Sequence, residues 1–336
     1  MWAWLSSGLL LGWSVGANVA ANVFATAVTS GMVRFATAVK LGVLFVILGG
    51  LVNGPATMDT LGRFGGVDTL PGAFSVALAS AVAIILMTGV GLPVSAAQTA
   101  VGALVGYQLF RHGSITAPAQ ILLRTIIITW ICVPFLAAAA AFIFYKAIAQ
   151  ISRRVAMPLL LLDQWLRLAL LAAGCYGAWA FGGNNMANVV SFYVNLDLFA
   201  PLPIGPWIVS QPRILALLGG LAIALGTATY SHRVMLTVGH DLVKLDAVTA
   251  FIAILSEALV VDLLAHAWRF DGFILPAIPV SISQALVGSV LGLGLARGIQ
   301  TIQLRVLRNI ALGWIIAPLI AAGIAYFILP FTMRLA

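Results

Sequence analysis

Two short stretches with polar side chains at matching spacing are the part of this sequence best suited to chemistry. Residues 93–106 are Pro-Val-Ser-Ala-Ala-Gln-Thr-Ala-Val-Gly-Ala-Leu-Val-Gly, and residues 279–292 are Pro-Val-Ser-Ile-Ser-Gln-Ala-Leu-Val-Gly-Ser-Val-Leu-Gly. The Ser-x-x-Gln spacing in each is that of a capping box, which predicts that each stretch begins a helix. A helix start presents free N–H groups and a partial positive charge. Each stretch is therefore a candidate anion-binding site.

Two asparagine-rich stretches precede these helix starts. Residues 16–22 are Gly-Ala-Asn-Val-Ala-Ala-Asn, and residues 182–188 are Gly-Gly-Asn-Asn-Met-Ala-Asn. Each follows an apolar run, which is predicted to stop there. The asparagines either satisfy exposed backbone groups at a helix break or line a binding site, and their recurrence at matching positions favours the second role. The side chains concerned are Asn18, Asn22, Asn184 and Asn188.

The composition predicts an all-α polytopic membrane protein. Apolar residues make up 62% of the 336 residues and charged residues 8%, with a mean hydropathy of +1.11, whereas soluble domains carry roughly 25% charged residues. This length allows about 10–12 membrane segments. The net charge of +8 fits basic cytoplasmic loops better than nucleic-acid binding, because the charges are scattered singly. The N-terminus lacks the basic region of a cleaved signal peptide.

Several other functions are disfavoured by what the sequence does not contain. Cys132 and Cys175 lie in apolar runs, which argues against a disulfide framework. No His/Cys cluster indicates a metal, and no Gly-rich loop with Lys indicates a nucleotide. We therefore expect no cofactor, no metal and no enzymatic activity, and ATP-driven transport by this subunit is disfavoured.

A third pair of motifs completes an internal duplication. The pattern Arg-x5-Trp-x3-Pro occurs at 124–134 and again at 308–318. Three motifs in the same order predict two homologous transmembrane repeats, residues 1–150 and 151–336. Basic residues without an acid at 146–154 predict a cytoplasmic loop at this boundary. Repeats with broken helices at membrane depth are typical of secondary transporters, with the site at the repeat interface. The motifs leave open whether the repeats are parallel or inverted.

The duplicated motifs resemble those of the inorganic phosphate transporter family. Its halves each carry Gly-Ala-Asn-Asp-x-Ala-Asn-Ala, which residues 16–23 and 182–189 resemble, and Pro-Val-Ser-Thr-Thr-His, which residues 93–98 and 279–284 resemble. The resemblance covers nearly the whole chain. It implies inverted-topology repeats with re-entrant-like helix starts, a central oxyanion, coupling to Na⁺ or H⁺, and a homodimer. The positions that match give the predicted substrate-binding residues: Asn18, Asn22, Ser95, Ala96, Ala97, Gln98, Asn184, Asn188, Ser281, Ile282, Ser283 and Gln284.

Departures from the family motifs bear on the substrate. The motif Asp is replaced by Val19 and Asn185, the motif His by Gln98 and Gln284, and both hydroxyls of the first Thr-Thr pair by alanine. Phosphate at neutral pH carries a proton that needs an acceptor, whereas sulfate has none. A site of donors alone therefore favours sulfate, and the departure resembles the family's sulfate permease branch. Inorganic phosphate transport and an uncoupled anion channel remain the alternatives.

Glu257 is the one carboxylate well inside an apolar segment. Intramembrane acids are costly and commonly functional, and this residue also matches a family glutamate. We expect Glu257, with Asn185 at the lost aspartate position, to serve ion coupling; the alternative is a buried structural hydrogen bond. Because the motif carboxylates are absent, H⁺ is favoured over Na⁺. The expected location is a prokaryotic cytoplasmic (inner) membrane, in contact with the lipid bilayer.

Overall fold

The computed structural model describes the chain except residues 19–22, 25–26, 29–30, 90–93, 155–157, 242–244, 271–272, 299–303 and 336. The described residues form ten α-helices, two short antiparallel hairpins and a 3₁₀ turn at Ser191–Tyr193. The helices are α1 (Trp2–Asn18), α2 (Phe35–Gly65), α3 (Leu70–Gly89), α4 (Ala96–His112), α5 (Ala117–Arg154), α6 (Leu159–Val190), α7 (Gln211–Asp241), α8 (Ala247–Ala265), α9 (Ile282–Arg297) and α10 (Leu304–Thr332). The hairpins pair β1 (Leu202–Ile204) with β2 (Trp207–Val209), and β3 (Trp268–Phe270) with β4 (Phe273–Leu275).

The helices have the length and composition of an integral membrane protein. Six of those described are long and apolar enough to cross a bilayer: α2, α3, α5, α8 and the apolar parts of α7 and α10. Long helices such as α5 and α10 leave large apolar side chains on the outside of the fold, among them Phe135, Ile143 and Leu319. Such a surface is stable against lipid rather than water. The helices α4 and α9, which begin at the Pro-Val-Ser motifs, are shorter.

Glycines in α4 bring this helix into backbone contact with α10. A Cβ added at Gly102 would lie 2.2 Å from the carbonyl oxygen of Pro318, and one at Gly106 would lie 2.2 Å from that of Ala322. Residue numbers rise together along both helices, so α4 and α10 run parallel. The Gly-x-x-x-Gly sequence of residues 102–106 is therefore a surface for close helix packing.

The same contact recurs between α9 and α5. A Cβ added at Gly288 would lie 2.2 Å from the carbonyl oxygen of Pro134, and one at Gly292 would lie 2.1 Å from that of Ala138. The helices α9 and α5 are therefore also parallel. Each repeat thus packs its Pro-Val-Ser helix against the last helix of the other repeat.

The two five-helix repeats have opposite orientations. Only residues 113–116 separate α4 from α5, a span of about 14 Å at most. Two collinear helices of this length would form a rod of about 80 Å, far beyond a bilayer core of about 30 Å. The chain therefore reverses between α4 and α5. Because α10 is parallel to α4, it is antiparallel to its own counterpart α5, which makes the repeats inverted.

Three helices extend through stretches that the sequence predicted to be breaks or loops. The helix α6 continues to Val190, through the asparagine-rich stretch, and α2 continues to Gly65 past Pro55. The helix α5 ends at Arg154, so the predicted loop at 146–154 is helical. A membrane favours continuous helices because no water is present to satisfy freed backbone groups, and neighbouring helices accommodate internal prolines.

Candidate functional site

Serine caps begin both Pro-Val-Ser helices. The backbone N–H of Gln98 donates to Ser95 Oγ at 3.3 Å, and that of Gln284 donates to Ser281 Oγ at 3.3 Å. All four side chains are buried. The sequence prediction of a cap at each helix start is confirmed. Each buried start keeps further N–H groups that the helix itself cannot satisfy.

The second half of each capping box does not form. In a closed box, the glutamine side chain would accept a hydrogen bond from the backbone N–H of the serine. The Oε1 atoms of Gln98 and Gln284 are instead buried and have no hydrogen-bond partner among the described residues. A buried acceptor without a partner costs about 1–3 kcal/mol. Both helix starts therefore carry an acceptor that is open to a ligand.

Trp314 of α10 connects the region beside the start of α4 with the start of α9. Pro318 of α10 packs on Gly102 of α4, and Trp314 lies one turn before Pro318 in the parallel direction, at the level of Gln98. Its indole Nε1–H donates to Ser283 Oγ, in the first turn of α9, at 3.2 Å. Trp314 therefore links α10, at the level of Gln98 in α4, to the first turn of α9.

The remaining predicted positions of the two starts differ between the repeats. Ser283 Oγ lies 3.1 Å from Ser281 Oγ, so α9 begins with a hydroxyl pair. In α4 the counterpart of Ser283 is Ala97, so the cap Ser95 has no second hydroxyl beside it, and both Ala96 and Ala97 are buried without a polar side chain. Ile282 is also apolar and buried. Only the backbone amides of these three residues can contact an anion.

Asn184 holds the backbone ahead of α9. Its Nδ2 donates to the carbonyl of Val280 at 2.9 Å, and its Oδ1 accepts from the Val280 N–H at 2.8 Å. Both polar ends of the side chain are thus engaged by the backbone next to Ser281. The counterpart Asn18 donates instead to Thr88 Oγ1 at 2.7 Å, and Asn22 lies outside the described residues. Asn184 positions the helix start rather than offering free groups.

Asn185 and Asn188 form a chain of hydrogen bonds inside α6. The Nδ2 of Asn185 donates to the Phe181 carbonyl at 3.0 Å, and the Nδ2 of Asn188 donates to Asn185 Oδ1 at 3.1 Å. Asn188 Oδ1 is buried and has no partner. These bonds satisfy the asparagines within a continuous helix, which explains why the motif does not break α6. They leave one further open acceptor.

Glu257 faces a pocket next to the start of α9. The pocket is small and lies between α6 and α8, with Phe181, Val261 and Ile282 among its lining residues. Glu257 is 5% exposed, and its Oε2 atom has no hydrogen-bond partner. This oxygen does not make the structural hydrogen bond that was the alternative interpretation. Among the described residues, no group of three or more His, Cys, Asp or Glu side chains is placed to hold a metal.

A carboxylate and an arginine join the outer end of each Pro-Val-Ser helix to a neighbouring loop. Asp68 accepts from Tyr107 at 2.8 Å and from Arg111 at 3.0 Å, at the end of α4. In the other repeat, Arg297 at the end of α9 donates to Asp246. Burial alone raises the pKa of Asp68, but the hydrogen bond from Tyr107 and the charge of Arg111 outweigh it and lower the pKa. The inverted repeats place these two ion pairs on opposite sides of the fold.

Sequence reasoning missed the open glutamine oxygens and the role of the tryptophans. The Ser-x-x-Gln spacing predicted a closed capping box or a substrate contact, and no pattern indicates which side chain atom is left unpaired. From sequence alone, Trp130 and Trp314 are interpreted as structural or interfacial residues, a common place for tryptophan in membrane proteins. One feature of the sequence could have indicated their role: in both repeats a tryptophan lies four residues before the proline that packs on the Pro-Val-Ser helix.

The described residues form helices in two inverted repeats, each with a buried Pro-Val-Ser helix start, and this arrangement defines a membrane protein of the secondary-transporter class. The model of the Phosphate transporter family matches residues 15–163 and 160–325. The chain belongs to this family.

Similar proteins cover almost the whole chain. A putative phosphate permease of Pyrococcus abyssi is 26% identical, over 96% of this chain and 95% of its own length. One of Methanocaldococcus jannaschii is 29% identical, over 94% of this chain and 92% of its own length. A solved structure described as the sodium-dependent phosphate transporter superposes with a TM-score of 0.81 at 22% identity, covering 99% and 98% of the two chains. The family resemblance is confirmed, but these findings do not support the sulfate permease branch.

Proposed function

We propose that this protein is a permease for inorganic phosphate. The observation that carries the proposal is the pair of buried, unpartnered Oε1 atoms of Gln98 and Gln284. Inorganic phosphate near neutral pH retains at least one O–H, and an amide oxygen accepts a hydrogen bond from it. The donor-only reasoning that favoured sulfate omitted these two acceptors. The names of the similar permeases support the same substrate.

In this proposal the anion lies between the starts of α4 and α9. Free backbone N–H groups of both first turns, including those of Ala96, Ala97 and Ile282, donate to its charged oxygens. The hydroxyl of Ser283 adds a polar group from the second repeat. The caps Ser95 and Ser281 hold the first turns in place, and Asn184 fixes the chain that leads into α9. Asn18, Asn22 and Asn188 complete the proposed surroundings.

We further propose that Glu257 couples transport to a monovalent cation, with Asn185 as a neutral neighbour on α6. The support is a buried carboxylate with one oxygen, Oε2, that has no hydrogen-bond partner among the described residues, in a pocket that reaches Ile282 of the anion site. A cation bound there would partly neutralise the charge of the bound phosphate. The loss of the motif aspartates favours H⁺, and the similar solved structure is described as sodium-dependent. Phosphate uptake measured with only a pH gradient, and then with only a Na⁺ gradient, shows which of the two cations drives transport.

The remaining parts of the proposal follow from the family resemblance. We propose a homodimer in a prokaryotic cytoplasmic membrane, built from repeats at residues 1–150 and 151–336. Because α5 continues to Arg154, the boundary at residue 150 falls inside its last turn, and residues 151–154 are continuous with the first repeat. Cross-linking in native membranes tests the dimer.

The proposed substrate is tested by removing one open acceptor. Gln98→Met keeps the length of the side chain but has no amide oxygen. We expect phosphate affinity to fall about 5- to 100-fold, while binding of sulfate, which has no proton to donate, changes little. Isothermal titration calorimetry of the purified protein with each anion measures both.

Gln108→Met is the matched control on the same helix. The Gln108 side chain donates to the carbonyls of Phe64 and Gly65, at the end of α4 away from the anion site. We expect it to lower stability without changing the ratio of phosphate to sulfate affinity. An equal loss of both anions in Gln98→Met would contradict the role of acceptor.

A further inference from the structure

The two repeat-related tryptophans differ in their hydrogen bonding. Trp314 donates its indole N–H to Ser283 Oγ at 3.2 Å. The Nε1 atom of Trp130 is buried and has no hydrogen-bond partner. A buried donor without a partner is unfavourable, so this atom requires an explanation.

The difference follows from one residue at the helix starts. Ser283 is the second residue after the cap of α9, and the second residue after the cap of α4 is Ala97. The repeat relation therefore places a methyl group at the position where Trp314 finds a hydroxyl. Because Pro134 packs on Gly288 of α9, and Trp130 lies one turn before Pro134 in a parallel helix, Trp130 lies at the depth of Gln284 in the first turn of α9. The Oε1 atom of Gln284 is also unpaired among the described residues.

We propose that the indole N–H of Trp130 donates directly to the bound oxyanion and is a determinant of its affinity. The inference rests on the proposed function, because it needs an anion between the two helix starts. An indole N–H donates but cannot accept, so it pairs with an unprotonated oxygen. The open oxygens of Gln98 and Gln284 then receive the protonated one. In the second repeat Trp314 acts through Ser283, so the two repeats hold the anion differently.

The test compares three Trp→Phe variants, which remove the N–H and keep an aromatic ring. Trp130→Phe is expected to weaken phosphate binding about tenfold or more, as for a hydrogen bond to a charged group. Trp314→Phe leaves the hydroxyl of Ser283 in place, so its loss should be clearly smaller. Trp165→Phe alters an exposed tryptophan and should leave the affinity unchanged. Titration calorimetry with phosphate and with sulfate gives the affinities, and thermal unfolding shows that each variant is folded.

A second variant separates a direct contact from a packing role. Ala97→Ser gives Trp130 the partner that Trp314 already has, so the penalty of Trp130→Phe should shrink in this background, in a double-mutant cycle. In NMR spectra of the ¹⁵N-labelled indole groups, the signal of Trp130 is identified as the one that is missing from Trp130→Phe. In the unmodified protein, this signal should shift when phosphate is added.

The outcomes distinguish this inference from the proposed function. If phosphate binds the unmodified protein and Trp130→Phe binds it equally well, the inference is wrong and the proposed function stands. If only sulfate binds, and Trp130→Phe weakens it, the phosphate proposal is wrong and the indole contact stands. If neither anion binds, both are wrong.

Discussion

The backbone contact between α9 and α5 predicts a large effect of Gly288→Ala. The added Cβ would lie 2.2 Å from the Pro134 carbonyl oxygen, 2.6 Å from its Cα and 2.7 Å from its carbonyl carbon. None of these atoms can rotate away, so the helices must separate by more than 1 Å, roughly, to restore ordinary contact. Overpacking of this kind costs about 3 kcal/mol, and the better helix propensity of alanine returns about 1 kcal/mol. We expect a net loss of about 2 kcal/mol in the free energy of unfolding.

Gly323→Ala is the control for this prediction. Gly323 lies inside α10, and a Cβ built there meets nothing within 4 Å, so only helix propensity changes and stability should stay equal or rise by up to about 1 kcal/mol. Unfolding of the purified protein in detergent, followed by circular dichroism, measures both variants. Equal midpoints for Gly288→Ala and Gly323→Ala would refute the close-packing argument.

Three further predictions concern charge and hydrogen bonding. Glu257→Gln should abolish phosphate accumulation driven by a cation gradient but keep phosphate exchange at equal concentrations; accumulation equal to that of the unmodified protein would remove Glu257 from coupling. Asn184→Ala leaves both backbone groups of Val280 without their partner and should lower the free energy of unfolding by about 2–4 kcal/mol. An unchanged unfolding midpoint would show that these two hydrogen bonds do not stabilise the fold. Because the pKa of Asp68 is lowered in the fold, its pairing with Arg111 stabilises the protein above about pH 4 and is lost as the pH falls through the folded-state pKa. Between pH 6 and pH 3, the free energy of unfolding should therefore decrease less in Asp68→Asn than in the unmodified protein. An equal decrease in the two proteins would contradict this prediction.

The sequence was most informative where one local pattern has one physical outcome. Ser95 and Ser281 cap their helices as the spacing indicates, and the glycines four residues apart in α4 and α9 pack against backbone, as small residues at that spacing commonly do in membranes. The order of the duplicated motifs predicted two related halves, and the family resemblance predicted their inversion. These features depend on residues close in sequence or on repetition, both of which are visible without a structure.

The parts that failed depend on contacts between distant residues. The stretch 182–188 contains two glycines and three asparagines, so a break was predicted, but hydrogen bonds such as that from Asn185 to Phe181 let α6 continue. The sequence was interpreted as a site that contains hydrogen-bond donors and no acceptors. That interpretation holds only if both glutamine oxygens already accept hydrogen bonds within the protein. Whether Gln98 Oε1 is engaged depends on the side chain conformation in the packed interior, which a spacing rule does not determine. The preference for sulfate rested on that interpretation together with the loss of the motif aspartates and the resemblance to the sulfate permease branch, which the comparisons do not support.

Uptake of labelled phosphate into proteoliposomes, with unlabelled phosphate or sulfate as competitor, tests the central claim most directly. With protein reconstituted at pH 7 and an inward cation gradient, the account predicts accumulation that unlabelled phosphate suppresses and that a tenfold excess of sulfate, about 1.4 kcal/mol in competitive free energy, leaves largely intact. Accumulation of labelled sulfate that phosphate does not suppress would contradict it.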